Sequence, residues 1–195
     1  MNEITKEGDV RKEKDSFVNG ANDSEAYPKY WIALFVKMNS ERSVGLKLSK
    51  MGIVTYVPTQ KQVRQWSDRK KTINKVMIPM VVFAQVDRQI EKRLISYSFI
   101  HKLLSYPGEK DVAIIPDDQI EKLKFMLNNA DSEVQISDNI LEEGMCVRVI
   151  RGPLRGLEGE LCNVVDRNIS VAIRINCLGC ACVNVSKCDI EITEG

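Results

Sequence analysis

The stretch VRVIRGPLRGLEGEL, residues 147–161, decides the fold of the C-terminal part of this chain. Val147 and Val149 alternate with Arg148, and this period of two is typical of a strand that buries one face. The glycines and the proline that follow interrupt the alternation. The pattern therefore predicts a strand, a tight turn and a second strand.

The turn itself is predicted from four residues, Gly152, Pro153, Gly156 and Gly159. Glycine adopts a positive φ at little cost, and we expect it to do so at Gly156 and Gly159 so that the chain reverses over few residues. Alternating apolar residues then predict further short strands at 160–165, 171–175 and 181–185. Short strands at this spacing are typical of a small β-barrel, which we place at 141–195.

The whole chain has 195 residues and a formal net charge of +1. This balance gives no global basic footprint, so any contact with nucleic acid must be local. No apolar run is long enough to span a bilayer, and the N-terminus lacks an apolar signal core, so we expect a cytoplasmic protein. Residues 1–27 hold few large apolar groups and are expected to form a disordered tail.

Residues 28–129 predict alternating elements in the order β-α-β-β-α-β-α, which fits a split βαβ, ferredoxin-like domain. Ser40 is expected to cap the first helix and Asp117 the last. Strands are predicted at 53–57 and 76–86, and with the polar and basic segment 60–75 between them they predict a long hairpin with a basic tip. Residues 130–140 are predicted to be a linker, and the fold class is α+β.

The segment GPLRGLEG, residues 152–159, resembles the KOW motif, and the chain as a whole resembles the NusG family of transcription elongation factors over residues 29–192. The features that carry this second resemblance are Trp31 on the first strand, Val57-Pro58, the basic hairpin, the stretch Ile78-Pro79-Met80-Val81-Val82-Phe83, and Pro116 before the last helix. The resemblance implies an N-terminal NGN domain and an SH3-like KOW barrel. The variant at 77–83 and the long tail of mixed charge are most similar to the UpxY-type antiterminators of capsular polysaccharide operons.

The resemblance implies a protein that is not an enzyme and that binds the coiled-coil of the RNA polymerase clamp through an apolar patch. Exposed apolar patches on soluble domains usually mark interfaces. The positions that match the patch of the family are Phe35, Ile78, Val81 and Phe83. The alternative is that all four are ordinary core residues of strands.

A second set of residues favours contact with nucleic acid, because cations attract phosphates and an aromatic ring stacks on bases. The residues are Lys37, Arg42, Arg64, Trp66, Arg69, Lys70 and Lys71. The resemblance implies non-template DNA or a 5′ leader RNA as the partner. The alternative is a solvated loop.

The cysteines and the histidine give little support for a metal site or a catalytic site. Of six cysteines, only Cys177 and Cys180 have a spacing suited to zinc, and packing of reduced thiols in the core is the favoured interpretation. His101 is the sole histidine, and no phosphate-binding loop or nucleophile motif occurs. We expect no metal, no cofactor and no catalytic residue.

Three functions stay open from the sequence. The favoured one is an antitermination factor of a capsular or exopolysaccharide operon. The second is a general elongation factor that couples polymerase to a termination factor or the ribosome through its KOW domain. The third is a KOW-type RNA-binding protein of the translation apparatus, which the near-zero charge disfavours. We expect a monomer whose barrel is formed of strands and is independent of the N-terminal domain.

Overall fold

The computed structural model describes residues 28–65, 70–137, 144–165 and 168–193. The predicted tail at 1–27 and the hairpin residues Trp66 and Arg69 lie outside the described residues, as does the side chain of Arg64.

The described residues form a mixed α/β fold with few helices and many strands. Their elements, in chain order, are β1 (Tyr30–Val36), α1 (Glu41–Lys50), β2 (Val54–Tyr56), β3 (Thr59–Gln65), β4 (Lys70–Val76), β5 (Val81–Val86), α2 (Arg88–Leu94), β6 (Ile100–Leu103), α3 (Asp117–Asn129), β7 (Gln135–Ser137), β8 (Cys146–Val149), β9 (Glu158–Val165), β10 (Asn168–Ile175), β11 (Gly179–Ser186) and β12 (Ile190–Ile192). A short 3-10 helix, Lys187–Asp189, precedes β12.

Four strands form an antiparallel sheet in the order β2-β5-β1-β6, which we call the N-terminal sheet. Side chains alternate between its faces. From β1, Ile32 and Leu34 pack in one core cluster with Val44 and Leu48 of α1 and with Leu94 of α2. The opposite face, which includes Trp31, packs against α3 and the C-terminal strands in a second cluster. The apolar run in β1 is thus explained by burial on both faces.

The segment 59–86 differs from its prediction. Strands β3 and β4 pair as a two-stranded hairpin within the segment predicted as the tip, and the single strand predicted at 76–86 is interrupted before β5. Pro79 lacks an N–H for a sheet, and Met80 adopts φ 63°, which a non-glycine residue rarely does. The prediction of one continuous strand is therefore wrong.

Of the two predicted helix caps, one is right in position and the other is wrong. Ser40 occupies the N-cap position of α1, but its hydroxyl donates to the Lys37 carbonyl and makes no side-chain cap bond to the helix. Asp117 is the first residue of α3, and Pro116 occupies the N-cap position. The side-chain cap that does form is at α2, where Asp87 Oδ1 accepts from the N–H groups of Gln89 and Ile90, each at 2.8 Å. The cap motif of α2 was not predicted.

Six strands form a second sheet in the order β12-β8-β9-β10-β11-β7, which we call the C-terminal sheet. Residues 147–161 form β8, a turn and β9, as predicted. Gly152 and Gly156 have φ of 78° and 90°. Gly159 is required for a different reason from the one predicted, since a Cβ there would lie 2.5 Å from the Ala172 carbonyl oxygen. Close packing of β9 on β10 leaves no room for a side chain.

The segment predicted to be a linker holds a strand, because β7 pairs with β11 in the C-terminal sheet. The C-terminal sheet is built of strands, as expected, but it is not independent of the N-terminal sheet. Val134, Leu157 and Ile175 belong to the same buried cluster as Trp31. The expectation of an independent barrel does not hold in this structure.

Candidate functional site

A cavity of about 690 Å³ lies between the N-terminal sheet and the C-terminal sheet. Most of its lining is apolar. The lining residues are Phe35, Lys75, Met77, Ile78, Pro79, Val81, Leu104, Glu133, Val134, Gln135, Ile136, Cys177 and Leu178.

The structure brings together three of the four residues predicted to bind polymerase. Phe35, Ile78 and Val81 line this cavity. Phe35 is half-buried, and its ring lies 5.5 Å from Lys102 Nζ and 6.2 Å from the ring of His101. Ile78 and Val81 are buried in the present arrangement. These three side chains form the wall of the cavity on the N-terminal side.

Phe83, the fourth predicted residue, lies elsewhere. It is fully buried and stacks on Tyr56, with the ring centroids 6.1 Å apart. Burial raises the pKa of the Tyr56 hydroxyl, which is therefore neutral over the physiological range. Phe83 supports the sheet behind the cavity wall.

The turn between β10 and β11 closes the cavity from the C-terminal side through Cys177 and Leu178. Cys177 has φ 61°, and its burial raises the pKa of the thiol to about 11. Among the described residues, no group of three or more His, Cys, Asp or Glu side chains is arranged to hold a metal ion.

Asn176, next to Cys177, joins the end of β10 to α3 and to the segment before it through its backbone and its amide. Its backbone N–H donates to Gln119 Oε1 at 2.9 Å, and its Oδ1 accepts from Gln119 Nε2 at 3.0 Å. Its Nδ2 donates to the Tyr106 hydroxyl at 2.7 Å and to the Ile114 carbonyl at 3.0 Å. Every polar group of the side chain is thus bonded to the N-terminal part.

The segment that enters the C-terminal sheet is held by the β3–β4 hairpin. The buried Gln60 donates to the Ser132 carbonyl at 2.8 Å and accepts from the Val134 N–H at 3.1 Å. Lys75, which is the register partner of Gln60, pairs with Glu133 at 2.5 Å. Gln60 and Lys75, which lie opposite each other in the hairpin, therefore hold residues 132–134 in place through two hydrogen bonds and one ion pair.

Glu41 positions the cavity wall from behind. Its side chain is 4% exposed, and Oε1 accepts from the Met80 N–H at 2.7 Å and the Asn39 N–H at 3.3 Å. The Met80 carbonyl in turn accepts from the Val36 N–H at 2.8 Å. This bonding fixes the strained turn that carries Ile78 beside Phe35.

Sequence reasoning missed Glu41, Gln60 and Asn176. An acidic residue in the first turn of a helix is usually explained by the helix dipole, so Glu41 gave no distinct signal. The partners of Gln60 and Asn176 lie 57 to 74 residues away, and local patterns do not contain that information.

The predicted nucleic-acid residues are scattered. Lys37, Lys70 and Lys71 are exposed, the first beyond the end of β1 and the others on β4. The Arg42 guanidinium donates to the Asn74 carbonyl, which ties α1 to the hairpin. No described contact joins Lys37 to the hairpin cations.

Three thiols meet inside the C-terminal sheet. Cys182 Sγ lies 3.7 Å from Cys162 Sγ and 3.6 Å from Cys180 Sγ, and Cys180 is buried. Burial raises the pKa of Cys182, so this thiol stays protonated at neutral pH. The predicted packing of reduced thiols agrees with this cluster.

Comparison with known families assigns the N-terminal part. The family model described as NusG, transcription termination factor nusG, matches residues 29–124. This segment is thus similar to the NusG family, in agreement with the resemblance predicted from the sequence. The UpxY-type assignment is narrower than the match and stays a prediction.

Two solved structures resemble the chain along most of its length. One describes a domain interaction in Thermotoga maritima NusG, with 14% identity, a TM-score of 0.47, and coverage of 86% of this chain and 98% of that chain. The other is an MjSpt4:Spt5 complex, with 15% identity, a TM-score of 0.27, and coverage of 85% and 97%. No curated protein matched the chain. None of the described helices has the length and apolar character needed to cross a membrane.

Proposed function

We propose that the chain is an elongation and antitermination factor that binds the coiled-coil of the RNA polymerase clamp through Phe35, Ile78 and Val81. The observation that carries this proposal is that the three side chains line one largely apolar cavity, although Phe35 lies on β1 and Ile78 and Val81 lie before and on β5. An apolar depression of this kind accepts the apolar face of a helix. Phe83 acts as a core support for the wall.

The strand order β2-β5-β1-β6, with α1 and α2 on one face, supports a ferredoxin-like NGN domain at 28–129. The Gly-Pro turn between β8 and β9 supports a KOW-type, SH3-like domain at 141–195, with 130–140 as the connection between them. Because β7 lies in this connection, part of it belongs with the C-terminal sheet.

Binding of a coiled-coil requires the C-terminal sheet to move away from the cavity. A helix with its side chains is about 10–12 Å across. Leu178 and Ile136 occupy the side of the cavity opposite Phe35 and Val81. In the proposed mechanism, polymerase binding replaces the contacts that these C-terminal residues make with the wall.

The test is capture of purified core RNA polymerase, without nucleic acid, on the immobilised full-length chain. We expect Phe35→Ser to abolish capture, since Phe35 is half-buried and its replacement leaves the fully buried core untouched. Ile192→Ser is the matched control, because Ile192 is 67% exposed and does not line the cavity. A folded Phe35→Ser protein that captures as much polymerase as the control refutes this binding surface.

The controlled gene is proposed to be a capsular or exopolysaccharide operon, on the resemblance of residues 78–83 to UpxY-type factors. A reporter with a terminator behind the leader of such an operon tests this. Read-through that rises with the protein on that leader alone supports an operon-specific factor, and equal read-through on unrelated leaders favours a general one.

Contact with non-template DNA or leader RNA is proposed for the hairpin cations Lys70 and Lys71, together with Lys37 before α1 and Arg42 in its first turn. The exposure of both hairpin lysines supports this role. A termination factor or the ribosome is the proposed partner of the KOW-type domain, on the resemblance of its Gly-Pro turn to the KOW motif.

A further inference from the structure

The helices α1 and α2 carry exposed positive charge that the proposed function does not use. The side chains concerned are Lys47, Lys50, Arg88, Lys92 and Arg93. Within the described part of the chain, none of these five forms an ion pair. The carboxylates nearest to them are engaged elsewhere, since Asp87 caps α2 and Glu91 accepts a hydrogen bond from the Tyr30 hydroxyl. The surface of the two helices therefore attracts an anionic partner.

Arg88, Lys92 and Ile95 form one line along α2, which we call the α2 stripe. Their spacing of four and then three residues places them on the same side of a helix. Ile95 directly follows the last residue of α2 and is 67% exposed. Tyr97 and Phe99, which stack with their centroids 5.3 Å apart, come next in the chain and are half-buried. The stripe thus begins with two cations and ends at an apolar side chain, and it fits a partner with acidic and apolar groups in the same order.

The N-terminal segment of the chain joins the structure beside this stripe. Tyr30, the first residue of β1, is the register partner of Val86, the last residue of β5. Because the two strands are antiparallel, residues 28 and 29 continue toward the start of α2. The bond from the Tyr30 hydroxyl to Glu91 ties this end of β1 to α2. The residues before 28, which lie outside the described ones, are therefore attached to the chain close to Arg88.

The sequence of that segment matches the α2 stripe in charge and in order. Residues 15–27 contain three carboxylates and no Lys or Arg. Two of the carboxylates, Asp23 and Glu25, are close in sequence to β1, and the apolar pair Phe17-Val18 lies farther from it. The 13 residues from Phe17 to Tyr30 span up to about 43 Å when extended, and α2 is only about 10 Å long. The segment is therefore long enough to turn back and follow α2 from its cations to Ile95.

From this correspondence we propose that residues 15–25 dock along the α2 stripe of the same chain. Their carboxylates pair with the cations of α2, and Phe17-Val18 packs against Ile95. Each exposed ion pair strengthens such a contact by up to about fivefold. Weak contacts are sufficient, because attachment to the same chain gives an effective concentration of about millimolar across a short connection. The docked segment shields the cations of α2 from other anions.

The α2 stripe is separate from the cavity of the proposed function. Phe35 and Val81 line that cavity, and they point to the opposite face of the N-terminal sheet from Leu34 and Val82, which pack under the helices. Loss of polymerase binding through the cavity thus leaves this proposal standing, and the reverse also holds.

The first test is cross-linking of the full-length chain with a carbodiimide, which joins a carboxylate directly to a lysine amine, followed by mass spectrometry of the peptides. At low salt we expect Asp23 or Glu25 to be joined to Lys92. The yield is expected to fall at about 1 M salt, where the screening length is about 3 Å instead of about 10 Å at 0.1 M. A mixture of isotopically labelled and unlabelled chains shows whether both ends of the link belong to one chain.

The second test compares two charge variants by amide NMR. Asp23→Asn/Glu25→Gln removes the carboxylates proposed to pair with α2, and we expect its chemical shifts to differ from those of the wild type at residues 88–95. The matched control Glu3→Gln/Glu7→Gln removes the same charge from a more distant part of the N-terminal segment. We expect this control to leave the shifts of residues 88–95 unchanged. Circular dichroism melting shows that each variant is folded.

A third variant tests the apolar contact at unchanged charge. Phe17→Ser is expected to change the NMR signals of Ile95 and to lower the yield of the cross-link to Lys92. Ile4→Ser is its matched control, because Ile4 lies outside the docking segment. The control is expected to have the cross-link yield of the wild type.

Three results overturn the proposal. The first is the absence of a link from Asp23 or Glu25 to Lys92 in the wild type at low salt. The second is a change at residues 88–95 that is as large in the control charge variant as in Asp23→Asn/Glu25→Gln, since such a change reports net charge alone. The third is a link found only between labelled and unlabelled chains, which assigns the α2 stripe to a second copy of the chain instead.

Discussion

The two faces of the N-terminal sheet are covered in different ways. One face is covered by α1 and α2, which connect its own strands and lie close in sequence to the residues they bury. The other face is covered by α3 and by the C-terminal sheet, whose strands begin more than thirty residues after β6. Cover of the first kind forms with the sheet. Cover of the second kind depends on contacts between residues that lie far apart in the sequence.

The contacts that hold the second cover are partly polar. Asn176 bonds to Gln119 and Tyr106, and Gln60 bonds to residues 132 and 134. Polar contacts exchange readily with water, since each contributes a net of about 0.5–1.5 kcal/mol. The surface proposed to bind polymerase is thus the one whose cover is held in part by polar contacts between residues distant in sequence.

The largest effect is expected from Gly159→Ala, which disrupts the pairing of β9 with β10 in the C-terminal sheet. The added Cβ would lie 2.5 Å from the Ala172 carbonyl oxygen and 2.9 Å from Val171 Cγ1. The backbone of β10 can make room for this Cβ only if β9 and β10 move apart. We therefore expect a loss of about 3 kcal/mol or more in the free energy of unfolding of the C-terminal sheet. Urea denaturation followed by NMR measures this for each sheet.

Gly152→Ala is the control for that substitution. Gly152 has φ 78° but open space around its Cβ position, so only the backbone conformation is penalised, by about 1 kcal/mol. An equal loss in both variants contradicts the steric explanation.

A smaller effect is expected from Glu41→Ala, which leaves the Met80 and Asn39 N–H groups without their acceptor. Because an unsatisfied buried donor costs about 1–3 kcal/mol, we expect a loss of about 2 kcal/mol in the free energy of unfolding. Glu41→Gln keeps an acceptor oxygen and is expected to lose less. If thermal melting shows the two variants to be equally stable, Glu41 does not hold the turn at Met80.

The apolar run in β1 and the alternation around 147–161 are sufficient to predict strands, and the glycines and proline locate the turn between β8 and β9. These signals are local. The break at Met80 escapes prediction, because nothing in the residue type indicates a positive φ, and the bond from Met80 to Glu41 spans 39 residues. β7 falls within the predicted linker because three residues are too few for a period to be recognised.

The same limit applies to the candidate site. Phe35, Ile78 and Val81 are predicted from a resemblance, and the structure brings them to one cavity. Phe83 lies on the same face of β5 as Val81, but it is two residues further along the strand, where Tyr56 and the core cluster cover it. The opposing side of the cavity, at Cys177, follows from how the C-terminal sheet docks, which the sequence does not indicate.

Asn176→Ala sharpens the comparison by loosening the second cover without unfolding it. The variant loses three side-chain bonds to the N-terminal part, and we expect about 1–2 kcal/mol less stabilisation of the docked state. Amide hydrogen exchange is expected to rise in β1 and β5 on the cavity side but not in α1. Asn184→Ala is the control, because Asn184 bonds to Ser170 within the C-terminal sheet. Equal exchange in the two variants argues against Asn176 as a tether.

The smallest effect concerns pH and lies within the C-terminal sheet. Arg174 Nε donates to Glu160 Oε1 at 2.6 Å and its Nη2 to Oε2 at 2.8 Å, and these bonds lower the pKa of the Glu160 carboxyl below its usual value of 4.5. Since the unfolded chain binds this proton more readily, the pair stabilises the fold above the unfolded pKa, and the contribution is lost as the pH falls through the folded pKa. Both side chains are partly exposed, so solvent screening keeps the contribution below about 1 kcal/mol.

Urea titrations at pH 7, 4 and 3 are expected to show a shallower acid loss for Glu160→Gln than for the wild type, because the variant has no carboxyl to protonate at this position. Arg148 and Glu158 form a comparable but more exposed pair, so Glu158→Gln is the matched control and is expected to change the slope less. Parallel slopes for the wild type and Glu160→Gln mean that solvent screens the pair completely.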